Sequence, residues 1–479
     1  MFGKGYRCTA YQHPNNLHRC MYRPREVSVM HRKPSQPPRT VRSLGFSLIV
    51  LLILAACGQA ATPPTQINPT SLPTDTPPTA VPALANSADK ALVIWSTGSE
   101  VEALSIQAAA DIFVQKNPGV LIKVQALPWS DAHTQILEAI AADRGPDLMA
   151  GGMSWGIEFG KLGGMIDLQK AYPDVVSDVK QKMLPQLQDS LFLDTGEVYA
   201  LQLDVALMGM FYRTDLLRDL VGMQQAPQNW TELTKVLEKA RTINKKGFAI
   251  GWDNAGWISY FTFLYSAGGS LYNDDCSKAT INSAAGLQAL TYFRDLYTKY
   301  QIPTDTALDI EGGLESGDYL VSYAGTWTVA ALEFNRPELA GKWALAPLPK
   351  SPKGQSVAFL GGRVIGVMEA SQNKDLAAEF IRFLYTEEAV AAQSAYAQSA
   401  SNYYVPPSLP LLSAAKLPTH IEAGFRGLLE QSAGPPKCVG WEESTTDVQK
   451  LLQEVVYNNA DPQDALDQAA EIMNRNLQP

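Results

Sequence analysis

The chain has 479 residues, too many for one ordinary hydrophobic core, so two or three domains are expected. Hydrophobic residues make up 46% and charged residues 18%, ordinary for a globular protein, and nothing in them demands disorder throughout, a coiled coil or a polytopic membrane protein. The net charge of −9 is uneven: nine Lys or Arg and one Glu precede Asp75, leaving 30 basic against 47 acidic residues from Asp75 onward. An acidic body argues against nucleic acid, whose phosphates need clustered Lys and Arg.

The first segment in chain order is an address. Thirteen uncharged, mainly apolar residues run from Leu44 to Ala56. That is short of the ~20 that span a bilayer as a helix, and has the length of a secretory core. Leu54-Ala55-Ala56-Cys57 resembles a bacterial lipobox, which implies cleavage before Cys57 and a diacylglycerol on its thiol. The residues before Met30 are polar and irregular, so a start at Met30 would give an ordinary signal peptide. Residues 1–56 are therefore read as extension and signal. Residues 57–88 are read as the lipidated cysteine and a Pro/Thr-rich linker that favours extended polyproline II at ~3 Å per residue. Cys276 and Cys438 remain in an exported body, where two thiols suggest one disulfide. The bland alternative is two unpaired, small apolar side chains.

The body begins as β-α-β-α-β. "KALVIW", "VLIKVQAL" and "PDLMAG" read as strands. Between them "EALSIQAAADIFVQKN" and "SDAHTQILEAIAADRG" carry helical periodicity, the second with Ser130 as its expected cap. This order predicts an α/β fold with a parallel sheet and covering helices. Further on, "LMGMFY", "YLVSYAG" and "VIGVM" read as strands. "NWTELTKVLEKARTI", capped by Asn229, reads as a helix, as do "SAAGLQALTYFRDLYTKY" and "NKDLAAEFIRFLYT". From Thr419 to Leu477 the chain is mostly helical.

Four stretches in order resemble family 1 of the extracellular solute-binding proteins of ABC importers, the group that includes maltose-binding protein. They are "KALVIWSTGSE", "GPDLMAGG…FGKLGGMIDL", "GEVYALQLDVALMGMFYRTDLL" and "GGRVIGVMEASQNKDLAAEFIRFL". Gln202 stands where the family usually has Pro in its crossover, and Arg213 where it has Asn. The resemblance implies a two-lobed periplasmic-binding-protein fold (type II), its lobes joined by crossover strands with a ligand cleft between. Lobe one is placed at 90–203 plus 318–368, and lobe two at 204–317 plus 369–479. It also implies a monomer without cofactor, working with membrane permease subunits, while the lipobox-like stretch places the protein on the outer face of the cell membrane through Cys57.

"GGMSWG" fits the G-x-S-x-G pattern of a hydrolase nucleophile elbow at Ser154. A serine hydrolase of that order needs a later histidine, and of five His only His420 follows Ser154. The glycines have another reading: they turn the backbone after a strand and aim Ser154 and Trp155 into the cleft. No H-E-x-x-H or C-x-x-C metal pattern occurs. A glycosidase with two facing carboxylates stays open as an alternative. Asp274-Asp275 reads as a solvated turn.

Nine Trp is many for this length. Trp95, Trp155, Trp252, Trp257 and Trp327 border predicted strands, whereas Trp230 and Trp343 read as core. Sugar recognition favours flat aromatic faces with planar polar groups on the hydroxyls, although each Trp is also a candidate core residue. The resemblance adds Ser99, Glu100, Asp204, Asp253, Gly362, Arg363 and either Tyr403 or Tyr404 as ligand positions. With Trp155 and Trp327 assigned to lobe one and Trp252 and Trp257 to lobe two, an aromatic from each lobe is expected to sandwich a sugar ring. A mono- or oligosaccharide is thus the expected ligand. A glycerol phosphodiester is the alternative, on the strength of Arg363.

Overall fold

The computed structural model describes residues 90–250, 257–304 and 309–477. The signal region, Cys57, the linker, Trp252 and Asp253 lie outside the described residues. Among those described, no helix is long and apolar enough to cross a membrane.

Eleven strands make two sheets among the described residues. In chain order they are β1 Lys90–Thr97, β2 Val120–Leu127, β3 Leu148–Gly152, β4 Leu201–Gln202, β5 Ala206–Arg213 and β6 Gly247–Ile250. Then follow β7 Tyr319–Gly325, β8 Trp343–Ala346, β9 Ala358–Gly361, β10 Arg363–Val367 and β11 Ser432–Ala433. The first sheet runs β2-β1-β3-β10-β4, with β1 parallel to β2 and β3, and β10 antiparallel to β3. The second runs β11-β9-β5-β7-β6, with β8 on β5. Five helices matter for the site: α1 Glu100–Lys116, α2 Trp129–Ala141, α3 Trp155–Lys161, α4 Thr328–Asn335 and α5 Trp441–Tyr457.

Local chemistry explains most of the element ends. α1 opens with a capping box: the Ser99 hydroxyl accepts from the Glu102 amide, and the Glu102 carboxylate accepts from the Ser99 amide. Asn229 caps the helix Trp230–Thr242 as expected. The expected Ser130 cap is corrected: the cap position falls two residues earlier, at Pro128, whose fixed φ of −58° leads the chain in without a side-chain bond. The second sheet is covered on both faces. Met208, Met210, Val321 and Tyr323 point to a core shared with Phe261, Phe293 and Trp441, while Leu207, Phe211 and Ala324 point the other way, with Phe425 and Leu428.

The expected lobe boundaries are corrected by the strand pairing. β7, β8 and β9 all join β5 in the second sheet, so residues 319–361 sit with lobe two. Only β10 returns to the first sheet, and the helices that follow it, Lys374–Leu384 and Glu387–Ser399, pack on α1. Lobe one therefore takes residues through the turn Leu412–Ala415, which packs on Glu387–Ser399. Helix Thr419–Leu429 then returns to β5, β8 and β9. Alternating strands and helices reveal layers but not which sheet a strand joins, and that is where the sequence reading of the boundary failed.

The chain crosses between the sheets at Leu203–Val205 and again at Gly362. These two crossings are pressed together. Gly362 has φ +114°, and a Cβ there would lie 2.2 Å from the Asp204 carbonyl oxygen, so only glycine fits. The expected Cys276–Cys438 disulfide is present, with Cα atoms 5.3 Å apart. It ties the turn before helix Ala284–Thr298 to the segment that enters α5, both within the second lobe.

Candidate functional site

A notch opens beside the two crossings. It is a cavity of about 110 Å³ between the first turn of α1 and the start of α4. Asp204 and Arg363 form its floor. The Arg363 amide and Nε donate to the Asp204 carboxylate at 2.8 and 2.7 Å, and its Nη1 donates to Ser96 Oγ at 3.0 Å and to the Thr97 carbonyl at 3.3 Å. Arg363 is 3% exposed, so its guanidinium is spent on fastening the crossing to β1. Glu102 and Ser105 of α1 form one wall. Thr326 and Trp327 form the other, and Asn402, Tyr403 and Tyr404 close the end.

Trp327 is the exposed aromatic of this notch, at 57%. It caps α4, and its indole folds back over Gly325, where a Cβ would lie 2.1 Å from the ring. Because β7 belongs to the second sheet, Trp327 stands on lobe two and not, as expected, on lobe one. Tyr403 rests on Phe334 with ring centres 5.2 Å apart. Tyr404 is buried, its hydroxyl donating to the Leu203 carbonyl at 3.0 Å, and burial pushes that phenol well above its ordinary range. Both alternatives for the late aromatic therefore line the cavity. Ser99 and Glu100 do not: Ser99 is used as the helix cap, and the residue that faces the notch is Glu102. The S-x-x-E spacing of the capping box was the available signal for it.

The other predicted pair, Ser154 and Trp155, lies at a second place where the lobes meet. A Cβ at Gly151 would lie 2.6 Å from the Trp155 ring, and one at Gly152 2.9 Å from it, so the paired glycines make a bed for the indole. Trp129, His133 and Phe159 surround the same ring, with centres 5.5, 5.0 and 6.0 Å away. Trp155 is left 8% exposed. The Ser154 hydroxyl donates to Glu442 of α5, across from the other lobe, and the Trp155 indole N–H donates to the same carboxylate. His133 Nε2 is bonded to Glu158 at 2.8 Å, and His420 to Glu333 at 3.1 Å. Ser154 is thus bonded to a carboxylate, and neither later nor nearby imidazole is bonded to it, which is not the nucleophile–base pairing of a serine hydrolase.

Trp257 departs from its expected role. It is 9% exposed and packs edge-on against Trp441, Phe359 and Phe261 inside lobe two. Its place is behind the Trp441–Glu442 corner, where it holds that corner by packing. Glu442 had no local signature in the sequence, since its partner Ser154 is 288 positions away.

The family model for bacterial extracellular solute-binding proteins matches residues 97–391. Among curated relatives, the lactose-binding protein of Rhizobium radiobacter is 25% identical over 62% of this chain and 71% of its own length. The arabinooligosaccharide-binding protein of Bacillus subtilis is 24% identical over 62% of this chain and 69% of its own. Two solved structures share the fold. The GacH receptor of Streptomyces glaucescens, solved unliganded and with acarbose, has a TM-score of 0.70 at 20% identity, covering 82% of this chain and 99% of that one. The sugar-binding protein MalE of Xanthomonas citri has a TM-score of 0.69 at 24% identity, covering 80% and 98%.

Proposed function

We propose that this chain, which belongs to the bacterial extracellular solute-binding protein family, is the sugar-binding receptor of an ABC importer. The observation that carries the reading is the notch at the crossings. An indole 57% exposed on one lobe faces Glu102 and Ser105 on the other, with Asp204 and Tyr403 between them. An aromatic face suits the C–H side of a sugar ring, and planar carboxylates suit its hydroxyls. The ligand touches both lobes only when they close, so it stabilises the closed form by its differential affinity.

The chemistry of the floor favours a neutral sugar over an anionic diester. Arg363 is the cation of the lining, and its donors already serve Asp204, Ser96 and Thr97, while Glu102 adds negative charge. In the same proposal the protein is a monomer without catalytic activity or cofactor, held at the outer membrane face by a lipidated Cys57. It hands its ligand to membrane permease subunits. Trp252 and Asp253 remain ligand positions in this proposal, together with Trp327, Tyr403 and Asp204.

A thermal-shift screen against maltose, lactose, arabinooligosaccharides and glycerophosphodiesters tests it. Binding to the native state alone raises the melting temperature with concentration. A shift with a sugar that Trp327→Ala weakens by roughly 2 kcal/mol or more, the size of a buried aromatic hot spot, is the expected result. A shift with the diester alone, or turnover of a chromogenic glycoside or ester, would replace the assignment.

A further inference from the structure

Glu442 is a carboxylate carried by one lobe and hydrogen-bonded by the other. The corner that presents it is fastened from several sides. Cys438 is held to Cys276, and a Cβ at Gly440 (φ +91°) would lie 1.9 Å from the Asn476 carbonyl oxygen. The Ser444 hydroxyl donates to the Gly440 carbonyl at 2.9 Å, and Trp441 is 1% exposed against Trp257 and Tyr272. Glu442 therefore cannot follow lobe one if the lobes part. On the facing lobe, the Ser154 side chain makes no capping bond to its own helix, although Ser154 sits at the cap position of α3. Its hydroxyl is free for Glu442.

From these observations we infer that Ser154 and Glu442 form a latch across the cleft, and that closing the latch takes up a proton. The inference rests on the two-lobed closure of the reading above, but not on the ligand being a sugar. When the lobes are apart, Glu442 stands in water as an ordinary carboxylate. When they close, it moves against a second carboxylate, Glu158 of α3, and against His133 of α2, while Tyr272 faces it from its own lobe. Burial pushes the Glu442 carboxyl above its usual range. The Ser154 hydroxyl draws it partly back and the Glu158 charge raises it further, while the His133 charge and the Trp155 indole N–H also pull it down without cancelling the rise. Burial alone would lower His133, but the Glu158 hydrogen bond and the charges of Glu158 and Glu442 carry it above its ordinary value.

Glu442 holds its proton more tightly in the closed arrangement than in water, so the closed form is favoured at low pH. For Glu442 the gain is complete below the ordinary carboxylate value of about 4.3 and is lost as the pH rises through its raised, closed-state value. His133 keeps its bond to Glu158 within lobe one whether or not the lobes meet, so the proton taken up on closing is assigned to Glu442.

Hydrogen exchange on the full chain, with no ligand added, tests the latch. Protection factors corrected for intrinsic rates are read at pH 8 and pH 5 for segments 153–160 and 440–446, with β1 as the reference. The expected result is a rise of about threefold or more at pH 5 in both latch segments, with β1 unchanged. Glu442→Gln keeps a hydrogen-bonding partner for Ser154 without a titrating group, so its protection should be high and flat with pH. Should that variant lose protection in β1 as well, Ser154→Ala serves instead: protection should fall at both pH values while β1 stays protected. A flat wild-type profile, or a Glu442→Gln profile as steep as the wild type, overturns the inference. Neither result depends on which ligand the notch takes.

Discussion

At Gly151–Trp155 and again at Gly325–Trp327 a strand ends in glycine, and an indole folds back over the backbone that the glycine leaves bare. The first corner belongs to lobe one and the second to lobe two. Trp155 is nonetheless 8% exposed and Trp327 57%. The difference comes from what each corner meets. Trp129, His133 and the carboxylate of Glu442 shut the first, whereas an open notch separates the other from α1. A glycine-to-tryptophan corner thus sets where a ring stands, and the opposite wall decides whether it is core or surface.

Truncating the two rings should separate their roles. Trp155→Ala opens a cavity among packed aromatics and is expected to cost about 3–5 kcal/mol in urea denaturation. Trp327→Ala removes a ring that is mostly in water and should change stability by no more than about 0.5 kcal/mol. Equal losses would mean that the two corners do not differ as described. The cover over Trp155 depends in turn on the disulfide that fixes the entry to α5. Cys276→Ser with Cys438→Ser should cost roughly 2–5 kcal/mol, as expected for a bond closing a long loop. The same change should raise proteolytic access near Glu442 and leave the Trp327 corner as it was, which limited proteolysis with mapped cut sites would check.

The smallest effect expected is electrostatic. His133 and Glu442 both hold their protons more tightly in the folded protein. A raised folded-state value adds stability below the unfolded value and loses it as the pH rises through the folded one. For His133 the loss begins above about 6.5, so the urea midpoint should drift down between pH 6 and pH 8. His133→Gln should flatten that drift, and an upward drift in the wild type would contradict the assigned signs.

Local patterns were legible in the sequence wherever the cause was local. Asn229 as a cap, the strands around Val120–Leu127 and Tyr319–Gly325, and the helices after Thr419 needed only neighbours a few residues apart. The disulfide was legible too, because two cysteines in an exported body leave one pairing. What escaped was set at long range. Glu442 meets Ser154 from 288 positions away, and neither segment marks the other. The side of the cleft on which Trp327 stands was misread for the same reason: it depends on β7 pairing with β5, and alternation alone does not select that partner. Trp257 was expected to border a strand but opens the helix Trp257–Ser266, and its ring turns inward because Trp441 and Phe359 offer it an apolar socket. Arg363 was found for its charge, but that charge is consumed by Asp204, a partner that only the crossing brings near.

The bond between Cys276 and Cys438 joins positions 162 apart in the sequence. That interval contains β10 and the helices Lys374–Leu384 and Glu387–Ser399, which leave lobe two to complete lobe one. The whole excursion is therefore a covalent ring whose base is stapled in the other lobe. A protease cut anywhere in the ring, for instance in the exposed turn 352–355, opens it without releasing a fragment. The severed ends stay within reach of their native positions, and the nick is invisible on a gel until the bond is reduced. For a protein of an extracellular family, with no resynthesis at hand outside the cytoplasm, one disulfide turns breakage over a third of the chain into damage the fold can survive.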